Sequence, residues 1–313
     1  MSVSDFVSYR DRLVEACSRA IVGKNEEITL IAVCYLCGGH ILLEDVPGTG
    51  KTMLFRAFAK ATGGGFKRIQ FTPDVMPSDV TGIHFYNMKT GDFEFRPGPV
   101  FADMVLADEI NRATPRTQSA LLEAMAEGQV SVDGETRRLS DTFMVAATQN
   151  PIESYGTFPL PEAQMDRFMM RLKLGYMRRE EEIGVALRRD TNDIIEQIVP
   201  VVSAGETLAL RAALDTIEIG APVMGYVMDI IDRTRDNVHF SIGASPRGTI
   251  ALVKAARAYA AFRGRAFVDP DDVKTLAPYV LAHRLHYRTA VGTQEAEALF
   301  REMLERIPVP TEA

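Results

Sequence analysis

A short segment of the chain has residue types and a spacing that suit the binding of a phosphate group. The apolar run Ile41-Leu42-Leu43 leads into Glu44-Asp45-Val46-Pro47-Gly48-Thr49-Gly50-Lys51-Thr52, and a helical pattern continues from Met53. In a strand–loop–helix segment of this kind, the backbone N–H groups of the loop and the N-terminus of the helix attract an anion. The ammonium group of Lys51 can reach the β- and γ-phosphates, and the hydroxyl of Thr52 can ligate Mg²⁺.

This loop fits G-x-x-x-x-G-K-[ST] at every fixed position except one, because Asp45 stands where the first glycine is expected. An ordinary glycine-rich turn is the weaker interpretation, since the strand, the Pro-Gly-Thr-Gly turn and the Lys-Thr pair occur together and in order. We therefore predict that a nucleotide is bound by consecutive residues of the loop and the following helix: Pro47, Gly48, Thr49, Gly50, Lys51, Thr52 and Met53.

An acidic pair follows a second apolar run, 104–107, and consists of Asp108 and Glu109. In ATPases with a phosphate-binding loop, an aspartate at such a strand end helps to hold Mg²⁺, so Asp108 is predicted to bind nucleotide and metal together with Thr52. The adjacent Glu109 can orient or deprotonate a water molecule that attacks the γ-phosphate. The alternative is a strand end with two solvated acids.

Three further polar residues are candidates for catalysis. Asn150 follows the apolar run 143–148, where an α/β sheet places its ligands, and it could position the attacking water. A turn-forming asparagine before Pro151 is the alternative. Arg167 and Arg247 could each stabilise charge on the transferred phosphoryl group, and a surface or capping arginine is the alternative for both.

The elements that must position these residues alternate in type over the first 175 residues. Apolar periodicity predicts helices over 4–20, from Lys51, and over 116–127. Apolar runs predict strands at 41–44, 68–72, 104–108, 143–148 and 168–174. Two further segments, 83–95 and 129–139, have β-like runs on either side of a glycine-containing turn and are predicted to be hairpins.

Beyond Gly175 the sequence predicts helices alone. They are expected at about 178–190, 206–216, 223–235, 246–262, 270–283 and 293–306. Strands that alternate with helices, followed by helices alone, favour an α/β domain with a parallel sheet between helices over 1–175 and an all-helical lid domain over 176–313.

Composition narrows the class of protein. The chain has 313 residues, a net charge of −7 and a sequence pI of about 5.4, which argues against a protein whose main task is to hold nucleic acid. No apolar run approaches the ~18 residues of a membrane span, and the N-terminus lacks the features of a signal peptide, so a cytoplasmic location is expected. Cys34 and Cys37 form C-x-x-C inside an apolar run, which favours a place in the core over zinc, since no second pair is present.

The phosphate loop and the later candidates, taken in order, resemble the AAA+ ATPases. The finer pattern is similar to the MoxR family, with Leu-Leu-Glu-Asp-Val-Pro-Gly-Thr-Gly-Lys-Thr, Ala-Asp-Glu-Ile-Asn-Arg-Ala, Ala-Thr-Gln-Asn-Pro-Ile-Glu and Pro-Glu-Ala-Gln-Met-Asp-Arg-Phe. The aspartate at position 45 is common in that family. The resemblance implies an AAA+ core, a helical lid and a role for each matching position: Walker A at Lys51 and Thr52, Walker B at Asp108 and Glu109, sensor 1 at Asn150, an arginine finger at Arg167 and sensor 2 at Arg247.

The resemblance also implies contacts and partners. Val22 and Gly23 would line the adenine, Gln70 could switch the catalytic glutamate, and the two hairpins would face the pore or the partner side of a ring. It implies ATP and Mg²⁺ as cofactors, a homo-oligomeric ring such as a hexamer, and protein clients, including von Willebrand factor A domain proteins encoded as separate chains. A nucleic-acid-stimulated motor and a slow nucleotide-gated regulator are the alternatives to chaperone-like remodelling.

Overall fold

The structure is a computed structural model that describes residues 1–44, 48–149, 156–187, 191–288 and 292–310. Contacts group the chain into two compact units. The sheet unit comprises Asp11–Leu160 and Leu172–Leu208, and the helical unit comprises Met1–Arg10, Pro161–Arg171 and Ala209–Ala313. Because two early segments group with the C-terminal helices, no single point of the chain separates the units, and the predicted domain boundary after Gly175 stays a prediction.

The predicted helices lie close to their expected ranges, and 246–262 agrees at both ends, whereas the short helices at 77–81, 162–165 and 191–196 were not predicted. In the described part of the chain they are α1 Val3–Ser18, α2 Asn25–Leu36, α3 Lys51–Ala61, α4 Pro77–Thr81, α5 Pro115–Glu127, α6 Glu162–Met165, α7 Arg179–Ala186, α8 Thr191–Glu196, α9 Ala204–Ala213, α10 Ala221–Arg235, α11 Pro246–Phe262, α12 Pro270–Leu281 and α13 Thr293–Glu305. Within these ranges, no helix has both the length and the apolar character that a bilayer crossing requires.

Among the described residues, the strands form one larger sheet and three two-stranded ribbons. They are β1 Ile41–Glu44, β2 Phe66–Gln70, β3 Gly82–Asn87, β4 Asp92–Pro97, β5 Met104–Asp108, β6 Gln129–Val132, β7 Glu135–Arg138, β8 Met144–Gln149, β9 Met170–Leu172, β10 Phe240–Ile242 and β11 His286–Tyr287. The five-stranded sheet has the order β2-β5-β8-β1-β9. The predicted α/β core is confirmed, and the lid is helical apart from the short β10–β11 ribbon, which local periodicity did not predict.

Burial and register place polar residues along one edge of the sheet. The central strands β1, β5 and β8 are buried until their last residue, as expected of parallel strands covered on both faces. Glu44 lies opposite Gln149, and Gln70 lies opposite Asp108. Because the paired strands run parallel, their carboxyl ends meet at a common edge, where α/β sheets bind ligands.

Both predicted hairpins are present in the sheet unit. The β3–β4 and β6–β7 ribbons pair antiparallel. They contact each other, since His84 Nδ1 lies 2.8 Å from Asp133 Oδ2 and the guanidinium of Arg137 lies 4.1 Å from the centre of the Phe95 ring. Their predicted position in a ring stays a prediction.

Of the two cysteines predicted to lie in the core, Cys34 is buried, whereas Cys37 is only half-buried. Cys17 is also buried. Burial raises the pKa of the Cys17 thiol to about 12, and Cys34 Sγ donates to the carbonyl oxygen of His40 at 3.6 Å. Thiols in these surroundings act as small apolar side chains.

Candidate nucleotide site

The carboxyl edge of the sheet opens onto a cavity of about 390 Å³. Most of the predicted loop and acidic residues meet there, although they come from distant parts of the chain. The cavity is lined by Gly48, Gly50, Lys51, Thr52, Met53, Arg68, Gln70, Asp108, Glu109, Thr148 and Gln149. A site that binds and cleaves a phosphate chain needs these two groups of residues on facing sides of one space.

The phosphate loop has the backbone conformation that its glycines permit. Gly48 and Gly50 have φ of 86° and 83°, in the left-handed region where residues with a Cβ are strained. Gly50 is the N-cap of α3 and has no side chain with which to cap the helix, so the first N–H groups of α3 can serve a bound anion. Lys51 and Thr52 open this helix.

Asp108 is held by two residues that the sequence analysis did not single out. Its Oδ1 accepts a hydrogen bond from the Thr148 hydroxyl at 2.7 Å, and its Oδ2 accepts from Arg68 Nη2 at 2.6 Å and Nε at 3.1 Å. The Thr148 hydroxyl in turn accepts the backbone N–H of Glu109 at 2.8 Å. Thr148 therefore joins the two acidic residues, while Arg68 neutralises the first of them.

Glu109 combines an unusual backbone conformation with a restrained carboxylate. Its φ of 56° lies in the left-handed region, which costs about 1 kcal/mol or more for a residue other than glycine. Its Oε2 accepts from Gln70 Nε2 at 2.9 Å and from Arg112 Nη1 at 3.1 Å. Arg68 Nη2 donates to Gln70 Oε1 at 2.5 Å, which orients the amide so that its nitrogen faces Glu109. One chain of hydrogen bonds thus runs from Arg68 to the candidate catalytic base.

The oxygen donors of the cavity fit Mg²⁺. A carboxylate from Asp108 and a hydroxyl from Thr52 both line the space in which phosphates would lie. Mg²⁺ is commonly bound by one or two carboxylates together with substrate phosphates, and it keeps several waters. The residues present suit that mode of binding.

The segment predicted to line the adenine is fixed by contacts inside the sheet unit. Gly23 has a φ of 73°, and a Cβ added to it would collide with the carboxylate of Glu181. Arg178 holds that carboxylate through Nη2 at 2.6 Å, and these bonds lower the pKa of Glu181. Val22 is half-buried. Neither Val22 nor Gly23 lines the cavity described above, so their contact with adenine stays a prediction.

Of four other predicted site residues, two are outside the described part of the chain and two belong to the helical unit. Pro47 and Asn150 fall outside the described residues, as does Asp45. Arg167 and Arg247 belong to the helical unit. Arg167 is half-buried, while Arg247 is exposed in the first turn of α11. Their roles toward a nucleotide stay predictions.

Comparisons with known proteins agree with this geometry. Residues 40–170 match the ATPase family associated with various cellular activities, and residues 232–303 match the AAA lid domain. The chain is 38% identical to Chaperone MoxR1 of Mycobacterium tuberculosis, covering 96% of this chain and 82% of that protein. It is 48% identical to the uncharacterized protein YeaC of Bacillus subtilis, covering 96% and 95%. A crystal structure from Cytophaga hutchinsonii, of a protein proposed to be an ATPase, superposes with a TM-score of 0.89 at 35% identity and covers 98% of both chains.

Proposed function

The chain belongs to the MoxR family of AAA+ ATPases, and from this premise we propose that it hydrolyses ATP at sites shared between the subunits of a homo-oligomeric ring. The energy would drive remodelling, maturation or activation of partner proteins. The single observation that carries the proposal is the common cavity, in which Lys51 and Thr52 of the loop line the same space as Asp108 and Glu109. This combination suits cleavage of a phosphate chain more than simple anion binding.

The residues of the cavity would divide the work of hydrolysis. The loop amides and Lys51 would bind the phosphates of ATP, and Thr52 and Asp108 would hold Mg²⁺, partly through water. When bound, Mg²⁺ supplies charge neutralisation to the phosphate oxygens. Glu109 takes a proton from the attacking water, and Gln70 restrains its carboxylate through the 2.9 Å hydrogen bond.

The residues outside the cavity complete the proposal. Asn150 orients the attacking water, and Val22 with Gly23 contacts the adenine. Arg247 contacts the ATP of its own subunit, whereas Arg167 contacts the ATP of the neighbouring subunit in the ring, which we propose to be a hexamer. Each arginine would stabilise charge that develops on the transferred phosphoryl group. Because Arg167 acts on another subunit, activity should rise with protein concentration.

We propose protein clients because one relative, 38% identical over 96% of this chain, is named Chaperone MoxR1. Proteins with a von Willebrand factor A domain are candidate clients, and the cytoplasm, where ATP and Mg²⁺ are plentiful, is the proposed location. Nucleic acid is an unfavoured partner because the net charge of the chain is −7. Stimulation of the ATPase by DNA or RNA would instead favour a nucleic-acid motor.

The direct test compares wild-type protein with Glu109→Gln. Wild-type protein should release phosphate from Mg²⁺-ATP, and the variant should bind ATP but release phosphate more slowly by on the order of 10²-fold. Glu123→Gln is a matched control, because Glu123 is exposed on α5 and the same carboxylate is removed there. Normal turnover by Glu109→Gln would remove Glu109 from the mechanism, and no turnover by concentrated wild-type protein would refute the proposed activity.

A further inference from the structure

A buried arginine of the helical unit holds the backbone on both sides of Arg167. The side chain of Arg284 is 2% exposed. Its Nη1 donates to the carbonyl oxygen of Asp166 at 2.8 Å, and its Nη2 donates to the carbonyl oxygen of Phe168 at 2.7 Å. Nη1 also pairs with the carboxylate of Asp166. Asp166 and Phe168 are the chain neighbours of Arg167, so one planar fork fixes the segment that carries it.

A neutral histidine strengthens the same attachment. His283 Nε2 lies 3.0 Å from the carbonyl oxygen of Phe168, which can only accept, so the ring nitrogen donates. Burial and the charge of Arg284 lower the pKa of His283 well below its usual value. The Phe168 carbonyl therefore receives two buried hydrogen bonds, from Arg284 and from His283.

The carboxylate of Asp166 is also bonded to the helix that carries Arg247. The Ser245 hydroxyl donates to Asp166, with Oγ 3.0 Å from Oδ1 and 3.1 Å from Oδ2. Ser245 is the N-cap of α11, and the same Oγ accepts the backbone N–H of Gly248 at 3.2 Å. Arg247 lies between these two residues in the chain. A Cβ on Gly248 would lie 3.2 Å from Arg284 Cδ, so the glycine leaves room for the buried arginine stem.

We propose that Arg284 and Ser245 are positioning residues that make Arg167 and Arg247 move together, and thereby couple the ATP site of one subunit to that of its neighbour. The inference rests on the proposed function, in which Arg247 contacts the subunit's own ATP and Arg167 the neighbour's. A displacement of Arg247 and the start of α11 is transmitted to the segment of Arg167 through the Ser245–Asp166 hydrogen bonds. The two hydrogen bonds from Arg284 keep the backbone of 166–168 rigid, so this segment moves as one piece.

A second arginine–aspartate pair of the same unit, with a buried aspartate, provides a control. Arg265 donates to Asp272 from Nη1 at 2.8 Å and from Nη2 at 2.6 Å, and the side chain of Asp272 is completely buried. Asp272 also accepts the backbone N–H of Asp269 at the start of α12. Lysine in place of either arginine keeps the charge and loses the bidentate fork. Arg265→Lys therefore makes the same chemical change as Arg284→Lys, but it does so at the start of α12 and not at the segment that carries Arg167.

The experiment measures how much ATP favours subunit association. Association constants are determined by sedimentation velocity, with and without a slowly hydrolysed ATP analogue and Mg²⁺. Their ratio is expected to be on the order of tenfold or more for wild-type protein. Arg247→Lys should lower the ratio, although Arg247 would touch only the subunit's own ATP. Arg284→Lys and Ser245→Ala should each lower the ratio at least as far. Adding Arg247→Lys to either of these variants should not lower the ratio further. Arg265→Lys should leave the ratio unchanged.

The folded state of each variant is measured together with the association ratio. Circular dichroism identifies folded variants, and Ser245→Ala keeps the test valid if Arg284→Lys fails to fold, because it removes only one hydroxyl. A merely structural role would lower the melting temperature without changing the ratio, as expected for Arg265→Lys. A tenfold ratio retained in folded Ser245→Ala and Arg284→Lys would overturn this inference alone. A ratio of one in wild-type protein would overturn the proposed shared site, and the inference with it.

Discussion

The buried His40 predicts how the stability of the sheet unit depends on pH. It immediately precedes β1, and both of its ring nitrogens are used. Its Nε2 lies 3.0 Å from the carbonyl oxygen of Met125, and its Nδ1 accepts the backbone N–H of Val145 at 3.0 Å. A carbonyl can only accept, so Nε2 carries the proton and Nδ1 does not. Protonation of Nδ1 would break the bond to β8, and burial lowers the pKa of His40 to about 4.

The lowered pKa makes the folded state lose stability as pH falls. In the unfolded chain His40 has its ordinary pKa of 6.5, so between pH 6.5 and about 4 the unfolded state binds a proton that the folded state does not. The free energy of unfolding should therefore decrease on acidification through this window. From these two values, the contribution lost between pH 7 and pH 5 is about 2 kcal/mol.

The assay compares wild-type protein with His40→Gln in urea unfolding at pH 7 and pH 5. Glutamine also offers one donor and one acceptor but does not titrate. Other groups, including the buried His283, also titrate, but their effect is common to both proteins and cancels in the comparison. The wild-type loss should exceed the loss in the variant by about 2 kcal/mol. Equal losses, or a His40 pKa near 6.5 measured by NMR, would refute the reasoning.

Two other substitutions test separate contacts of the sheet unit. Gln70→Ala removes one of the two hydrogen bonds that restrain the Glu109 carboxylate, so the carboxylate can turn more freely toward the attacking water and kcat should rise by roughly fivefold with little change in KM. A fall in kcat would show that Gln70 instead holds Glu109 in its working position. Gly82→Ala should lower the free energy of unfolding by about 2 kcal/mol or more, because it strains φ and its Cβ would lie 2.5 Å from the carbonyl oxygen of Arg96, whereas Gly91→Ala strains φ in open space and should cost about 1 kcal/mol. Equal urea midpoints for these two glycine variants would contradict the predicted collision.

Features whose pattern is contained in one short segment of the chain could be predicted from the sequence. The phosphate loop is contained in one run of nine residues. The strand that precedes the acidic pair Asp108 and Glu109 is predicted by its uninterrupted apolar residues. Both hairpins follow from short β-like runs about a glycine. These features need no knowledge of which strands are neighbours, and the structure places the described ones where they were expected.

Residues that act through spatial neighbours could not be predicted in this way. Arg68 and Thr148 bond to Asp108 only because β2 and β8 lie on either side of β5, and each is 40 residues away in the chain. Arg284 meets Asp166 across 118 residues. No periodicity within one element specifies the order of strands in a sheet or the packing partner of a helix. The side chains that orient the catalytic groups therefore emerge from the fold.

The central claim, a site shared between subunits, is tested most directly by mixing two inactive variants. Arg167→Ala keeps its nucleotide site and lacks the trans-acting arginine, whereas Lys51→Ala has the arginine and a damaged site. Each alone should hydrolyse ATP more slowly by on the order of 10³-fold. Random mixing in equal amounts at high concentration should restore roughly a quarter of the wild-type rate, because a working site needs one subunit of each kind in the right order. No recovery in mixtures that do associate would contradict the shared site.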